Sequence, residues 1–170
     1  MDKINCKVIL CGPAIGKTYL ANHDSHFVDI DGERAKYKYG LDNKSYEELE
    51  KGKLNRGKVV NKDYHEYTIN LLNETISSGK IALISYQEKI LNYIIDNNID
   101  YCLVYADIDS REEYISRMKE RGNSDKFIND MTNTTAWNDF YKRNEEDRRP
   151  KYKIKLKKGE YLSDIKDSFC

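Results

Sequence analysis

KVILCGPAIGKT, residues 7–18, decides how this chain is read. Four apolar residues follow one lysine, a run of strand length that suits burial on both faces. Gly12 and Pro13 break the extended chain, and Gly16-Lys17-Thr18 leads into a helical pattern. In such a strand–turn–helix, successive backbone N–H groups curl towards one side, and the helix N-terminus adds partial positive charge. The turn is thereby read as a phosphate cradle formed by Gly12, Pro13, Ala14, Ile15, Gly16, Lys17 and Thr18. Lys17 supplies a compact cation for the β and γ phosphates of a nucleoside triphosphate, and Thr18 a hydroxyl for Mg2+. The usual spacing, Gly-x-x-Gly-x-Gly-Lys, has glycine where Cys11 and Ala14 stand here. Negative φ is the expectation at both, since only positive φ demands glycine.

Outwards from the turn, short apolar runs alternate with longer amphipathic ones. HFVDI (26–30), IALIS (81–85), YCLVYA (101–106) and YKIKL (152–156) read as further strands. Val60, Tyr64, Tyr67, Leu71 and Thr75 recur at helical spacing and stop at Gly79. Ile90, Leu91, Ile94 and Ile95 mark a second helix, and Tyr114, Ile115 and Met118 a third, which Gly122 closes. This alternation predicts an α/β fold: five parallel strands, right-handed crossovers and helices on both faces. Two polar segments interrupt it, residues 32–59 and 122–149. Both can fold over the carboxyl edge of the sheet, where open α/β sheets bind ligands.

The 170 residues suit one domain, with no repeat or linker tract. With 29 Lys+Arg against 29 Asp+Glu, no net charge draws the chain to nucleic acid or a membrane surface. Anion binding must therefore come from local groups. Cys6, Cys11, Cys102 and Cys170 lie far apart, with no metal or disulfide spacing, as in a reduced cytoplasmic protein. The charged start, MDKINCK, lacks the apolar centre of a signal peptide, and no run reaches membrane-spanning length.

The stretch FVDIDGER (27–34) puts Asp29 and Asp31 on one face of the second strand, Asp31 at its carboxyl end. Asp31 has several roles open to it: base for an attacking hydroxyl, holder of Mg2+, acceptor for a substrate sugar, or helix cap. For Asp29, function and a structural hydrogen bond are both open. Arg34 is a candidate for an acceptor phosphate, since the guanidinium fork matches phosphate oxygens, or a solvated surface group. Arg117 and Arg121, four apart, share a helix face on which their charges repel. Either Glu113 relieves Arg117 structurally, or the pair closes on a transferring phosphoryl group. Trp137, Phe140 and Tyr141, at helical spacing, are expected to pack residues 122–149 down.

Together these residues resemble the nucleoside and nucleotide kinases of the P-loop class, the adenylate-kinase-like group. The N-terminal strand with GKT carries the likeness. EKGKL (50–54) is similar to the border of that family's monophosphate-binding insertion, and RMKERG (117–122) to the entry of its lid. YKIKLKKGEYLSDI (152–165) looks like its closing strand and helix. The resemblance implies a three-layer P-loop fold with a five-stranded parallel sheet of order 2-3-1-4-5, an acceptor-binding insertion at 32–59 and a lid at 122–149. It also implies ATP-dependent phosphoryl transfer, with Mg2+ as cofactor. In that reading Lys17, Asp31, Arg117 and Arg121 are catalytic, Thr18 and Asp31 hold the metal, and Asp29, Arg34 and Arg56 bind the acceptor. The family's third strand ends in Asp-Gly-x-Pro-Arg, whereas this chain has ISYQE (84–88). Asp29 and Asp31 instead look like the Asp-x-Asp of shikimate-kinase-like enzymes or the base of polynucleotide 5′-kinases, which act on hydroxyls. The expected partners are ATP and a nucleotide or other small acceptor, with no membrane and no strong footprint on nucleic acid. A nucleotide-binding regulator without turnover is the remaining alternative.

Overall fold

The computed structural model describes residues 3–30 and 63–170. Five strands form one parallel sheet: β1 (Val8–Cys11), β2 (Phe27–Asp29), β3 (Ile81–Ile84), β4 (Tyr101–Ala106) and β5 (Tyr152–Leu156). Their order is β2-β3-β1-β4-β5. Every neighbouring pair is parallel, with Ile9 opposite Leu83 on one side and Cys102 on the other. All five expected strands are present, each at the expected place.

Alternation along β1 explains the layers. Val8 and Leu10 face one side, where Leu72, Ile90, Leu91 and Ile94 cover the sheet. These come from α2 (Tyr64–Ser77) and α3 (Glu88–Asp96). Ile9 and Cys11 face the other side, against Leu20 of α1 (Lys17–His23), Leu162 of the C-terminal 3-10 helix (Leu162–Ser168) and Phe169, which follows that helix. Each fully buried aliphatic side chain of this kind contributes about 1.5–3 kcal/mol relative to exposure. The last segment is thus 3-10 rather than α-helix, and it covers the sheet.

Both glycines expected to end helices do so in the left-handed region, Gly79 at φ 74 and Gly122 at φ 74. At the first, the N–H of Lys80 reaches Thr75 O while that of Gly79 reaches Ile76 O. At the second, Asn123 reaches Met118 and Gly122 reaches Lys119. Left-handed glycine lets these carbonyls be satisfied as the chain turns away.

The face of α2 differs from the expected one. Thr68, Leu72 and Thr75 are its buried residues, and Tyr67 is exposed. Thr68 and Thr75 donate their hydroxyls to the carbonyls of Tyr64 and Leu71, one turn back, at 2.7 Å each. A threonine satisfied by its own helix buries without an orphaned hydroxyl, which shifts the apolar stripe by about one residue.

Residues 122–149 contain α5 (Asp125–Thr132) and α6 (Thr134–Glu146), packed on α4 (Arg111–Glu120). Trp137 is buried with Tyr114, Met118 and Ile128, and its indole N–H donates to Ile108 O at 2.8 Å. Tyr141 meets Tyr105 edge-on. Trp137 and Tyr141 therefore pack this segment down, as their spacing led one to expect. Among the described residues no helix is long and apolar enough to cross a membrane.

Candidate functional site

The turn after β1 curls because its backbone changes hand repeatedly. Proline holds Pro13 at negative φ, Ala14 lies at φ 58, Ile15 is outside the positive region, and Gly16 lies at φ 99. Alternating hands turn consecutive N–H groups towards the same side, the geometry of an anion-binding nest. Cys11 ends β1 as a buried strand residue, so cysteine is tolerated there. Ala14 departs from expectation: it occupies the left-handed conformation in which glycine is favoured. Lys17 reaches back across the turn, its Nζ donating to Gly12 O at 3.1 Å.

Two neighbours brace this turn. A Cβ on Gly12 would lie 3.5 Å from Cζ of Phe140, so α6 closes against its first residue. A Cβ on Gly16 would lie 3.4 Å from the Tyr161 ring, and Leu162 N–H donates to Ile15 O at 3.0 Å. No sequence signal links residues 160–162 to residues 14–16, and only the fold reveals the contact.

Thr18 donates its hydroxyl to Asp29 Oδ2 at 2.8 Å. The β2 carboxylate that the sequence left open between function and structure therefore meets the hydroxyl set aside for Mg2+. A threonine that donates its proton to a carboxylate keeps oxygen lone pairs for another partner. Asp31, Arg34 and Arg56, with the insertion 32–59, lie outside the described residues.

The two arginines of RMKERG separate. Arg117 is buried, with 6% of its surface exposed, and ion-paired with Glu113 as one of the two sequence alternatives required. It also donates to Ala14 O at 3.4 Å and Glu160 O at 3.0 Å, and its Cζ lies 3.6 Å from the Tyr161 ring centroid. Its guanidinium thus ties α4, the turn and the C-terminal segment together. Arg121 follows α4 as its C-cap and is exposed. Lys126 pairs with Asp130 and Arg149 with Asp147, both at the surface.

Beside the turn opens a cavity of about 790 Å³ at the carboxyl ends of β1, β3 and β4. Gly12 and Pro13 stand at one wall. Tyr64, Tyr86, Tyr105, Trp137 and Phe140 make much of the rest aromatic, with Gln87, Asp130, Asp139 and Arg143 as polar members. Burial, then its hydrogen bond to Glu145, pushes the Tyr105 hydroxyl up to about 12, so it stays a donor at neutral pH. Burial likewise raises Tyr114. Tyr86, next to the uncharged end of β3, had no reading in the sequence beyond the missing charge.

No protein-family model matches the chain. No curated protein matches it either. Among solved structures it is similar to an uncharacterized protein from Eubacterium ventriosum ATCC 27560, at 14% identity and TM-score 0.46. That match covers 98% of this chain and 95% of the other.

Proposed function

We propose that the chain is an ATP-dependent phosphotransferase of P-loop kinase type whose acceptor is a nucleoside monophosphate. One observation carries the reading: Lys17 lies across a nest-shaped turn while the next residue, Thr18, donates a hydrogen bond from its hydroxyl to Asp29. Lys17 then neutralises triphosphate oxygens, and the backbone amides of residues 12–18 orient them. The donors also fit Mg2+, which takes hard oxygen ligands and needs only one or two from protein beside phosphates and water. Thr18 Oγ1 would hold the ion and Asp29 would fix the hydroxyl's orientation. When bound, the ion supplies charge for the developing oxyanions. Transfer to a monophosphate needs positioning and charge more than a base. The adjoining aromatic cavity supports a ring-bearing acceptor. Exposed Arg121 is the member of its pair open to a phosphoryl group, with Arg34 and Arg56 as further acceptor contacts.

A second reading has its own support. Ser85, Tyr86 and Gln87 follow β3 without charge, and Asp29 meets Thr18, an arrangement that leaves Asp31 as base for a hydroxyl acceptor. The experiment is ADP release from Mg-ATP with nucleoside monophosphates, nucleosides and 5′-hydroxyl oligonucleotides. Transfer to monophosphates, reduced about 100-fold or more by Lys17→Ala and insensitive to Asp31→Asn, is the expected result. Asp29→Asn is expected to raise the Mg2+ concentration needed for half-maximal rate. Activity on hydroxyls alone, lost in Asp31→Asn, would establish the second reading. ATP binding with no ADP from any acceptor would sink both.

A further inference from the structure

Although Ser85, Tyr86 and Gln87, just after β3, carry no charge, the fold delivers a cation there from α6. Arg143 Cζ lies 4.5 Å from the Tyr86 ring centroid and 5.1 Å from that of Phe140. Phe140 is also the ring against Gly12, so one aromatic side chain separates this guanidinium from the phosphate-type turn. Stacking on rings uses the faces of a guanidinium, whereas its five N–H groups donate in the plane. Among the described residues those donors have no carboxylate partner. Unlike Arg111, Arg117 and Arg149, and like Arg121 and Arg148, Arg143 pairs with no described carboxylate, not even with Asp139, one turn earlier on its own helix. It is also the single cationic side chain among the described residues lining the cavity, where Asp130 and Asp139 are the carboxylates. A cation held beside two rings, at the wall of a largely aromatic and apolar cavity, is suited to a small oxyanion.

We infer that, among the described residues, Arg143 is the side chain by which this cavity recognises the phosphate of the acceptor, with Tyr86 and Phe140 holding its guanidinium in place. The word acceptor rests on the phosphotransferase reading; the recognition of a phosphate monoester does not. The walls receive the ring system of the ligand, and away from the turn that the triphosphate would take, the two lining carboxylates disfavour a phosphate placed elsewhere than at Arg143. The charge that such a site needs at the end of β3 thus comes from a distant helix.

The test is calorimetric titration of the full chain, without ATP, by each common nucleoside 5′-monophosphate and by its own nucleoside. Wild type is expected to bind at least one monophosphate about tenfold or more tightly than the matching nucleoside. Arg143→Gln is expected to erase that preference and leave ATP affinity unchanged. Arg143→Lys, with charge but no fork, should restore part of it, and Tyr86→Leu should weaken it. Equal binding of both ligands by wild type, binding of neither, or a preference that survives in Arg143→Gln would each overturn the inference. ADP assays separate the two readings. A preference lost in Arg143→Gln, in a chain that never releases ADP, leaves the inference standing and removes the phosphotransferase. ADP release with an acceptor KM unchanged in Arg143→Gln does the reverse.

Discussion

Ala14 and Gly16 are neighbours but one, both at positive φ, and chemistry treats them differently. Gly16 at φ 99 faces the Tyr161 ring, so a methyl group there meets strain in its backbone and crowding outside it. Gly16→Ala is expected to cost about 1–2 kcal/mol in urea unfolding and to weaken ATP binding. Ala14 at φ 58 already accepts such strain, and the guanidinium of Arg117 grips its carbonyl. Ala14→Gly is expected to be near neutral in the same measurement, because relief of strain is offset by a freer unfolded chain. The turn itself was legible because its signal is contiguous: strand, glycine, lysine, threonine. Its supports were not. Tyr161 and Leu162 reach it from across the chain, and no local pattern announces a contact made by sheet topology.

At the scale of elements, α6 is held by a polar clamp as well as by its aromatic residues. Glu145 accepts from Lys155 at 2.9 Å and from Tyr105 at 3.1 Å, while Lys155 also reaches the Tyr141 hydroxyl at 3.1 Å. The lysine and then the tyrosines hold the Glu145 carboxyl down at about 2. A carboxylate depressed on folding contributes stability above its unfolded value of 4.5, lost as pH falls towards 2. Its partial exposure makes that contribution small. Trp137, the one tryptophan, lies on α6 and reports it directly. Its fluorescence is expected to shift between pH 4.5 and 2, and Glu145→Gln should remove that step while leaving the global transition in place. The helices themselves followed from periodicity. What periodicity missed was the rotation of α2, since a tyrosine counted as apolar can turn outward and a threonine bonded to its own helix can turn in. The separation of Arg117 from Arg121 has the same root: residues four apart share a helix face only while the helix lasts, and α4 ends between them.

Across the whole molecule, polar chemistry gathers at one edge of the sheet and apolar packing fills both faces. Zero net charge leaves the chain without a strong overall field, so any anion binding falls to a few placed groups. The chain ends are tied too: Ile4 bridges Phe169, with Ile4 N–H donating to Ser168 O at 2.7 Å. The same side of the sheet carries Cys6, Cys11 and Cys102 in the core, whereas Cys170 is exposed. Burial pushes the Cys6 thiol up to about 12 and raises Cys102 further, so neither is nucleophilic while the core is closed. Maleimide is therefore expected to label one thiol at once and the other three at the rate at which the sheet opens. Mass spectrometry over time would read this as a plus-one species followed by a jump, without partial steps if opening is cooperative. On the proposed function, in which only the closed chain holds Mg-ATP, the nucleotide should delay the jump in proportion to its occupancy. The cysteines thus act as an internal clock, timing how long the protein stays shut and whether a nucleotide keeps it so.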